Sequence, residues 1–311
     1  MFTFMLRGDD MTEKPTIQVQ SVIYGNEKES LLRAIEALSN AVRVEQEERG
    51  TLGQVTLRYG DATAAPIYSE TEILELHSQF KPYLDFSYRF FGFNSGSARG
   101  ENLLAQDSTA DYIMVMNPDV VVSPRYFIEI MKMFRDPTTG AAEARQTPVE
   151  HPKDYDLTTG ETGWATGACT VVPTKLFHQL NGYDSDSFFM YCDDVDLSWR
   201  IRLMGYRILY QPLAPVFHAK RLSSSGSWLP TEVEKYYSAE AALLLSYKWS
   251  HPELTENLLH QYETGNAEEC RKAAAAFRQR KAENRLPQPL DPEHRVAEFL
   301  NGYYEKNRYI L

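Results

Sequence analysis

The sequence predicts an open α/β sheet flanked by helices, followed by a helical C-terminal segment. Short alternating apolar runs each end in polar residues rich in Asn, Asp and Gly. Such strand ends are where open α/β sheets gather ligands. After about Trp228 the apolar residues switch from alternation to helical spacing.

The elements follow in order. Residues 17–24 alternate as a first strand, and Leu31, Leu32, Ile35 and Leu38 have the spacing of a helix with one buried face, which makes a βα unit. Val55, Leu57 and Tyr59 alternate into Gly60-Asp61, and Leu84, Phe86, Tyr88 and Phe90 alternate into Asn94-Ser95-Gly96, marking two further strands. A helix and a strand over 111–116 complete the order strand, helix, strand, strand, helix, strand. Between Phe134 and Thr162 the chain is polar and rich in Gly, Pro and Thr, so it reads as a connection with little regular structure. A loop of that length is unusual inside a compact domain. Trp164 to Cys169 opens a buried strand, Leu197, Trp199, Ile201 and Leu203 mark a helix that ends at Gly205, and residues 206–210 form a strand. Beyond Trp228, Ala241, Leu244, Leu245 and Trp249 recur at helical spacing, as do residues 273–277 and Val296, Phe299 and Leu300, with a linker near Pro287. The expected division is a first unit over 1–227 and a helical module over 228–311.

Composition narrows the function. A chain of 311 residues, 43% hydrophobic and 24% charged, is an ordinary globular protein able to bury a large core. Its net charge of -11 opposes a general nucleic-acid binder. The basic residues Lys220, Arg221, Arg271, Lys272, Arg278, Arg280 and Lys281 are scattered and read as solvated faces. Cys169, Cys192 and Cys270 lack the close spacing of a zinc site or redox motif, so they read as unpaired thiols of a reducing, cytosolic compartment. No apolar run approaches the ~20 residues of a membrane span. The opening residues 1–6 are too short for a signal peptide and read as a frayed extension.

Two acidic sites carry the chemistry. Asn117-Pro118-Asp119 ends a strand, and Asp193, Asp194 and Asp196 open a helix. Together they suggest work on a phosphorylated substrate held by a divalent metal, because Mg²⁺ and Mn²⁺ prefer carboxylate and phosphate oxygens. Each has a plainer reading, as a strand-ending turn for the first and helix N-terminal carboxylates for the second. Capping explains one aspartate more easily than three. Asn94 to Asn102, with Gly96, Arg99 and Gly100, enters a helix whose free N–H groups suit an anion, although glycines there also permit close helix–sheet packing. Tyr24 and Trp164 offer rings for a base and a sugar or simply fill the core. The small residues Thr166 and Gly167 would let a sugar ring approach the backbone. His218 taken alone reads as a structural histidine.

These segments resemble the inverting family 2 glycosyltransferases of GT-A fold over roughly the first two thirds of the chain. Asn-Pro-Asp is a variant of that family's metal motif, and the resemblance implies that Asp119 and His218 hold Mn²⁺ or Mg²⁺ beside the donor's diphosphate, with Asn117 nearby. Asn94, Gly96, Gly100 and Asn102 match a segment that lies along the nucleotide-sugar, with Arg99 as a charged donor. Asp61 matches the aspartate that accepts a hydrogen bond from the base, whereas Ala62 and Thr63 depart from the pattern. Of the acidic pair, Asp194 stands where the family places its general base, and Asp193 replaces a glutamate as an acceptor contact, together with Trp164, Thr166 and Gly167. Gly182-Tyr183-Asp184, Phe188-Phe189-Met190-Tyr191 and Gly205-Tyr206-Arg207 recur in the rhamnosyl- and galactofuranosyltransferase-like branch. The implied activity is metal-assisted transfer of a hexosyl or deoxyhexosyl group from a nucleoside-diphosphate sugar to a glycan or lipid-linked glycan, in polysaccharide or cell-wall synthesis. Many such enzymes meet lipid-linked acceptors at the inner face of the plasma membrane, so peripheral membrane association is compatible with this reading, as is a homo-oligomer. The alternatives are a nucleotidyltransferase, for which Tyr24-Gly25-Asn26-Glu27 supplies no basic Gly-rich signature, and a glycan-binding protein of the same fold without turnover.

Overall fold

A computed structural model describes residues 13–151, 153–219, 224, 229–302 and 304. The expected extension at 1–6, the basic pair Lys220-Arg221 and the division at 227/228 lie outside the described residues.

Four strands, β1 (Ile17–Ile23), β2 (Val55–Asp61), β3 (Asp85–Phe90) and β4 (Tyr112–Met116), pair in parallel in the spatial order 3-2-1-4. Their crossovers are α1 (Lys28–Glu48), α2 (Glu70–Phe80) and α3 (Gly96–Ala105). Helix α1 buries Leu31, Ala34, Ile35, Leu38 and Val42 as one stripe, as its spacing predicts. Helix α2 was not expected between the second and third strands. It buries only Leu76 and Phe80, so it shows no apolar stripe, yet a Ser69–Glu72 capping box starts it.

The second half of the sheet is mixed. Strand β8 (Cys169–Pro173) runs antiparallel to β4, and beyond it lie β6 (Thr139–Thr147), β9 (Arg207–His218) and β5 (Val120–Val122), with the short β7 (Glu161–Thr162) on β9. Strand β6 corrects the reading of 134–162 as irregular. It is buried on both faces, so it lacks alternation, and Gly140, Ala141, Ala142 and Ala144 leave no bulky apolar signal. A Cβ on Gly140 would lie 2.3 Å from Ile201 Cγ2, which is why the position is bare. Residues 164–168 form a loop ahead of β8 rather than the start of the strand.

Short helices α4 (Tyr126–Ile130) and α5 (Thr174–Gln179) flank the sheet, and α6 (Asp193–Leu203) carries the acidic cluster at its head. Then come α7 (Glu232–Lys248), α8 (Pro252–Thr264) and α9 (Glu268–Ala282). The C-terminal helices share one core with α6, where Phe188, Val195 and Trp199 pack with Leu243, Leu244, Trp249 and Phe277. The Trp199 and Trp249 rings meet edge to face at 5.2 Å. Truncating either to alanine should cost roughly 3–5 kcal/mol. Asp196 fastens the junction, accepting from Trp249 Nε1 at 3.0 Å and pairing with Lys248 at 2.6 Å and Arg200 at 2.8 Å.

Two further expectations change here. Val296, Phe299 and Leu300 lie in irregular chain, not a helix, because the Asp291 carboxylate takes the N–H groups of Arg295, Val296 and Ala297 at 2.9–3.1 Å. The stretch near Pro287 is no free linker, since Leu290 donates its N–H to Lys248 and Phe299 packs on Trp199. Among the described residues no helix is long and apolar enough to cross a membrane.

Candidate active site

The strand-end turn and the last strand meet through the sheet. Val120 follows Asp119 and pairs with His218 where β5 runs antiparallel to β9, so residues a hundred positions apart become neighbours. His218 Nε2 lies 3.6 Å from Asp119 Oδ1 and 3.3 Å from the Asn117 amide nitrogen. An amide nitrogen can only donate, which makes Nε2 the acceptor and puts the ring proton on Nδ1. Nδ1 then donates to Gln146 Oε1 at 2.9 Å, from the strand β6 that the sequence hid. A histidine fixed this way, through its other nitrogen, has the usual arrangement of a metal ligand.

The donor set here fits a hard or borderline divalent cation of the Mn²⁺ type, with one carboxylate and one imidazole. It fits only a cation completed from outside. Among the described residues no group of three His, Cys, Asp or Glu side chains is arranged to hold a metal. Phosphate oxygens and water would be left to supply the remaining positions of such a cation.

The second acidic site is built differently. Tyr191 and Cys192 both adopt left-handed backbone, with φ of 65° and 54°, and deliver the chain abruptly into α6. Asp194, half-buried in the first turn, accepts the Gly167 N–H on Oδ2 and the Val195 N–H on Oδ1, both at 2.8 Å. Burial raises its carboxyl above the ordinary range, and these two N–H groups and the charge of Lys153 hold part of that rise back. Asp193 is buried, and its Oδ2 accepts from Ser97 of α3 at 2.8 Å. Burial first, then the neighbouring charge of Asp194, pushes it up to about 7. Behind it Glu101 is pushed up to about 8 by burial while bound to Gln20 and the Val22 N–H. Asp193 therefore faces α3 rather than an open acceptor surface.

Several expected contacts are likewise committed to the protein. Asp61 is fully buried, and its two oxygens take four donors: the Thr63 N–H and hydroxyl on Oδ1, the Ile67 N–H and the Tyr88 hydroxyl on Oδ2. Burial would raise this carboxyl, but the hydrogen bonds of Thr63, Tyr88 and Ile67 outweigh it and the net shift is downward. A carboxylate has about four acceptor sites, so in this state Asp61 has none left for a base. Trp164 is only 6% exposed, with Lys153 Nζ 4.0 Å from its ring centroid and Tyr304 against its edge, so its ring is core rather than a platform for sugar. Asn102 binds both the N–H and the carbonyl of Tyr183 at 2.8 Å and braces that loop. Gly96 and Gly100 serve close packing, since a Cβ at either would lie within 2.5 Å of Phe189 or Val22.

Three of the expected residues remain open to solvent. Tyr24 is 61% exposed at the end of β1, Asn94 is exposed and holds the Gly96 N–H at 3.2 Å, and Arg99 is exposed with its guanidinium 4.8 Å over the Phe93 ring. Thr166 is buried, and its N–H goes to Glu143 at 2.6 Å. Gly167 is half-buried beside Asp194.

No protein-family model matches the chain. Curated relatives do. The chain is 29% identical to rhamnosyltransferase WbbL of Escherichia coli over 35% of this chain and 51% of that one. It is 36% identical to N-acetylglucosaminyl-diphospho-decaprenol L-rhamnosyltransferase of Mycobacterium tuberculosis over 28% of this chain and 25% of that one. It is 26% identical to poly-beta-1,6-N-acetyl-D-glucosamine synthase of Staphylococcus aureus over 51% and 43%. The chain thus spans about half the length of these relatives or less. Among solved structures, GalNAc-T7 with UDP, GalNAc and Mn²⁺ superposes with a TM-score of 0.60 at 13% identity, over 88% of this chain and 56% of that one. A mannosyltransferase from Pyrobaculum calidifontis in complex with GDP-Man and Mn²⁺ gives 0.54 at 16% identity, over 88% and 83%.

The fold is GT-A. The likeness to family 2 glycosyltransferases, rhamnosyltransferases among them, is borne out by these relatives.

Within this GT-A frame, sequence reading missed Glu143, Gln146 and Lys153. All three lie in the segment read as irregular. Their signal is long-range pairing, which no local pattern displays.

Proposed function

We propose that the chain transfers a sugar from a nucleoside-diphosphate sugar to a hydroxyl of a glycan or lipid-linked glycan, inverting the anomeric carbon. The observation that carries this is Asp194, reachable at the head of α6 and aimed by the Gly167 N–H, on the same GT-A frame as the Asp119–His218 pair. Asp194 takes the acceptor's proton as the hydroxyl oxygen attacks the anomeric carbon, and the nucleoside diphosphate leaves from the opposite face. No covalent sugar–enzyme intermediate is needed. Burial that raises a carboxyl toward working pH makes it a stronger base.

Asp119 and His218, with Asn117 beside them, would hold a divalent cation. When bound, that ion supplies charge neutralisation to the leaving diphosphate. Solved neighbours that contain Mn²⁺ with UDP or GDP-Man support this donor class in general. The diphospho-decaprenol in the name of the mycobacterial relative supports a lipid-linked acceptor, and the rhamnosyltransferase names support a deoxyhexose. Tyr24, Asn94 and Arg99, all open to solvent, meet the nucleotide in this reading. The catalytic unit is residues 1–227, and the helices from 228 onward support α6 from behind.

A calorimetric screen of nucleoside-diphosphate sugars with and without Mn²⁺ tests the proposal. One donor should bind with Mn²⁺ and weaken strongly without it. If no nucleotide-sugar binds in either condition, the reading fails.

A further inference from the structure

We propose that Glu143 and Lys153 form a buried ionic clamp that fixes the loop 164–167, and through it the Gly167 N–H that aims Asp194; the catalytic meaning of this rests on the reading of Asp194 above. The two side chains are 2% and 6% exposed and 2.7 Å apart. Each holds the loop at a different point. Lys153 Nζ donates to the Trp164 carbonyl and lies over its ring, while Glu143 Oε2 accepts the Thr166 N–H at 2.6 Å.

The loop has no regular structure, yet every N–H from 165 to 168 has a side-chain partner. Ala165 donates to Ser198 Oγ at 3.0 Å, Thr166 to Glu143, Gly167 to Asp194 at 2.8 Å and Ala168 to Thr166 Oγ1 at 3.2 Å. Ser198 Oγ in turn donates to the Asp194 carbonyl at 2.7 Å, so loop and helix head are tied twice. The neighbouring amides leave Gly167 little freedom to turn away from Asp194. A buried ion pair adds little net stability over an apolar pair, so fixing a geometry is its better-attested use.

The clamp also acts through charge. Around Asp194 the titratable groups are Asp193 and Asp196 on α6, Cys192 and Tyr183 before it, Tyr304 from the C-terminal segment, and Lys153. Lys153 is the cation that lowers the Asp194 carboxyl. Removing it lets that carboxyl rise. Asp194 then keeps its proton to higher pH.

The test needs no substrate. In the full chain, the Gly167 amide resonance, labelled with ¹⁵N-glycine, follows the ionisation of the carboxylate to which it donates. In Lys153→Met its pH inflection should move upward, and hydrogen exchange at 165–167 should speed up roughly tenfold or more, about what losing one charge-assisted hydrogen bond permits. Amides of β1 should stay protected, which shows that the fold survives. The double variant Glu143→Gln with Lys153→Met leaves no orphan charge and serves if the single variant does not fold; it too should shift the inflection upward. An unmoved inflection with unchanged exchange at 165–167, in either folded variant, overturns the clamp. Whether Asp194 is the base is decided separately by turnover of Asp194→Asn, so each idea can fail without the other.

Discussion

The two acidic sites, one at strand ends and one at the head of a helix, are held in opposite ways. At the strand ends, Asp119 and His218 meet because β5 pairs with β9, and Asn117 and Gln146 bond the imidazole on its two nitrogens. At the head of α6, Asp193 and Asp194 are gripped by Ser97, Gly167 and Val195, and burial raises both carboxyls. The difference follows from the chemistry each would do. A site that shares a cation with a departing diphosphate must leave coordination positions open. A base must be aimed and kept poorly solvated, which only surrounding structure achieves.

The sharpest break in this comparison comes from neutralising one member of the gripped site. Asp194→Asn keeps the shape and can still accept one N–H, yet it takes no proton. Transfer should fall about 10²–10⁴-fold while Mn²⁺-dependent donor binding stays as in the parent chain. Wild-type turnover at saturating acceptor would remove Asp194 from the role of base.

At the open site the loss should appear in binding instead. Asp119→Ala and His218→Ala should each weaken Mn²⁺-dependent binding of the nucleoside diphosphate, and Gln146→Leu, which frees the imidazole to rotate, should weaken it by roughly 10–100-fold. Titration calorimetry of Mn²⁺ with the diphosphate present measures all three. If phosphate oxygens complete the proposed cation, Mn²⁺ without nucleotide should bind weakly even to the parent chain. Equal Mn²⁺ affinity in His218→Ala and the parent would return His218 to a structural role.

The same contrast explains what the sequence disclosed. Strands that carry bulky apolar side chains, such as β1 and β4, announced themselves by those residues, as did the stripe of α1. Strand β6 did not, because its neighbours approach so closely, as Ile201 does at Gly140, that small Gly and Ala fill it, the residues with least signal. Asp119, Asp194 and His218 were singled out through resemblance to a family. Their supports were not: Gln146, Glu143 and Lys153 act across 72, 23 and 11 residues of chain. Asp61 shows the reverse case. Resemblance to the family implies a base contact there, but Thr63, Ile67 and Tyr88 of the adjacent strand β3 donate to its oxygens.

Asp61 therefore predicts a stability effect where the resemblance implies a binding effect. Tyr88→Phe removes one donor from a carboxylate that keeps three, and should cost about 1.5 kcal/mol at neutral pH. The folded Asp61 carboxyl lies below its unfolded value, so its contribution is present above the unfolded pKa of ~3.9 and disappears as pH falls through the folded one. The penalty in Tyr88→Phe should shrink along the same course. Denaturant melts at pH 7 and pH 3 measure it, and a penalty independent of pH would mean that Tyr88 acts by packing alone.

The smallest effect should come from Asp193, and its sign is opposite. Burial and the charge of Asp194 raise its folded pKa to about 7, well above the ~3.9 of an unfolded aspartate. Between those values the folded state holds a proton that the unfolded state releases, so this group makes folding less favourable as pH rises through the window. Asp193→Asn removes the liability while its side-chain oxygen can still accept from Ser97. The gain should be about 1 kcal/mol, below what the pKa implies, because the buried amide carries a desolvation cost of its own that offsets both the lost charge and the relief of Glu101 beside it. Melting temperature should therefore rise by a few °C at pH 8, on the scale of ~2–4 °C per kcal/mol for larger domains, and the advantage should vanish near pH 4. A variant that is equally or less stable than the parent at pH 8 would show that Ser97 and the head of α6 solvate Asp193 well enough to keep it ionised without strain.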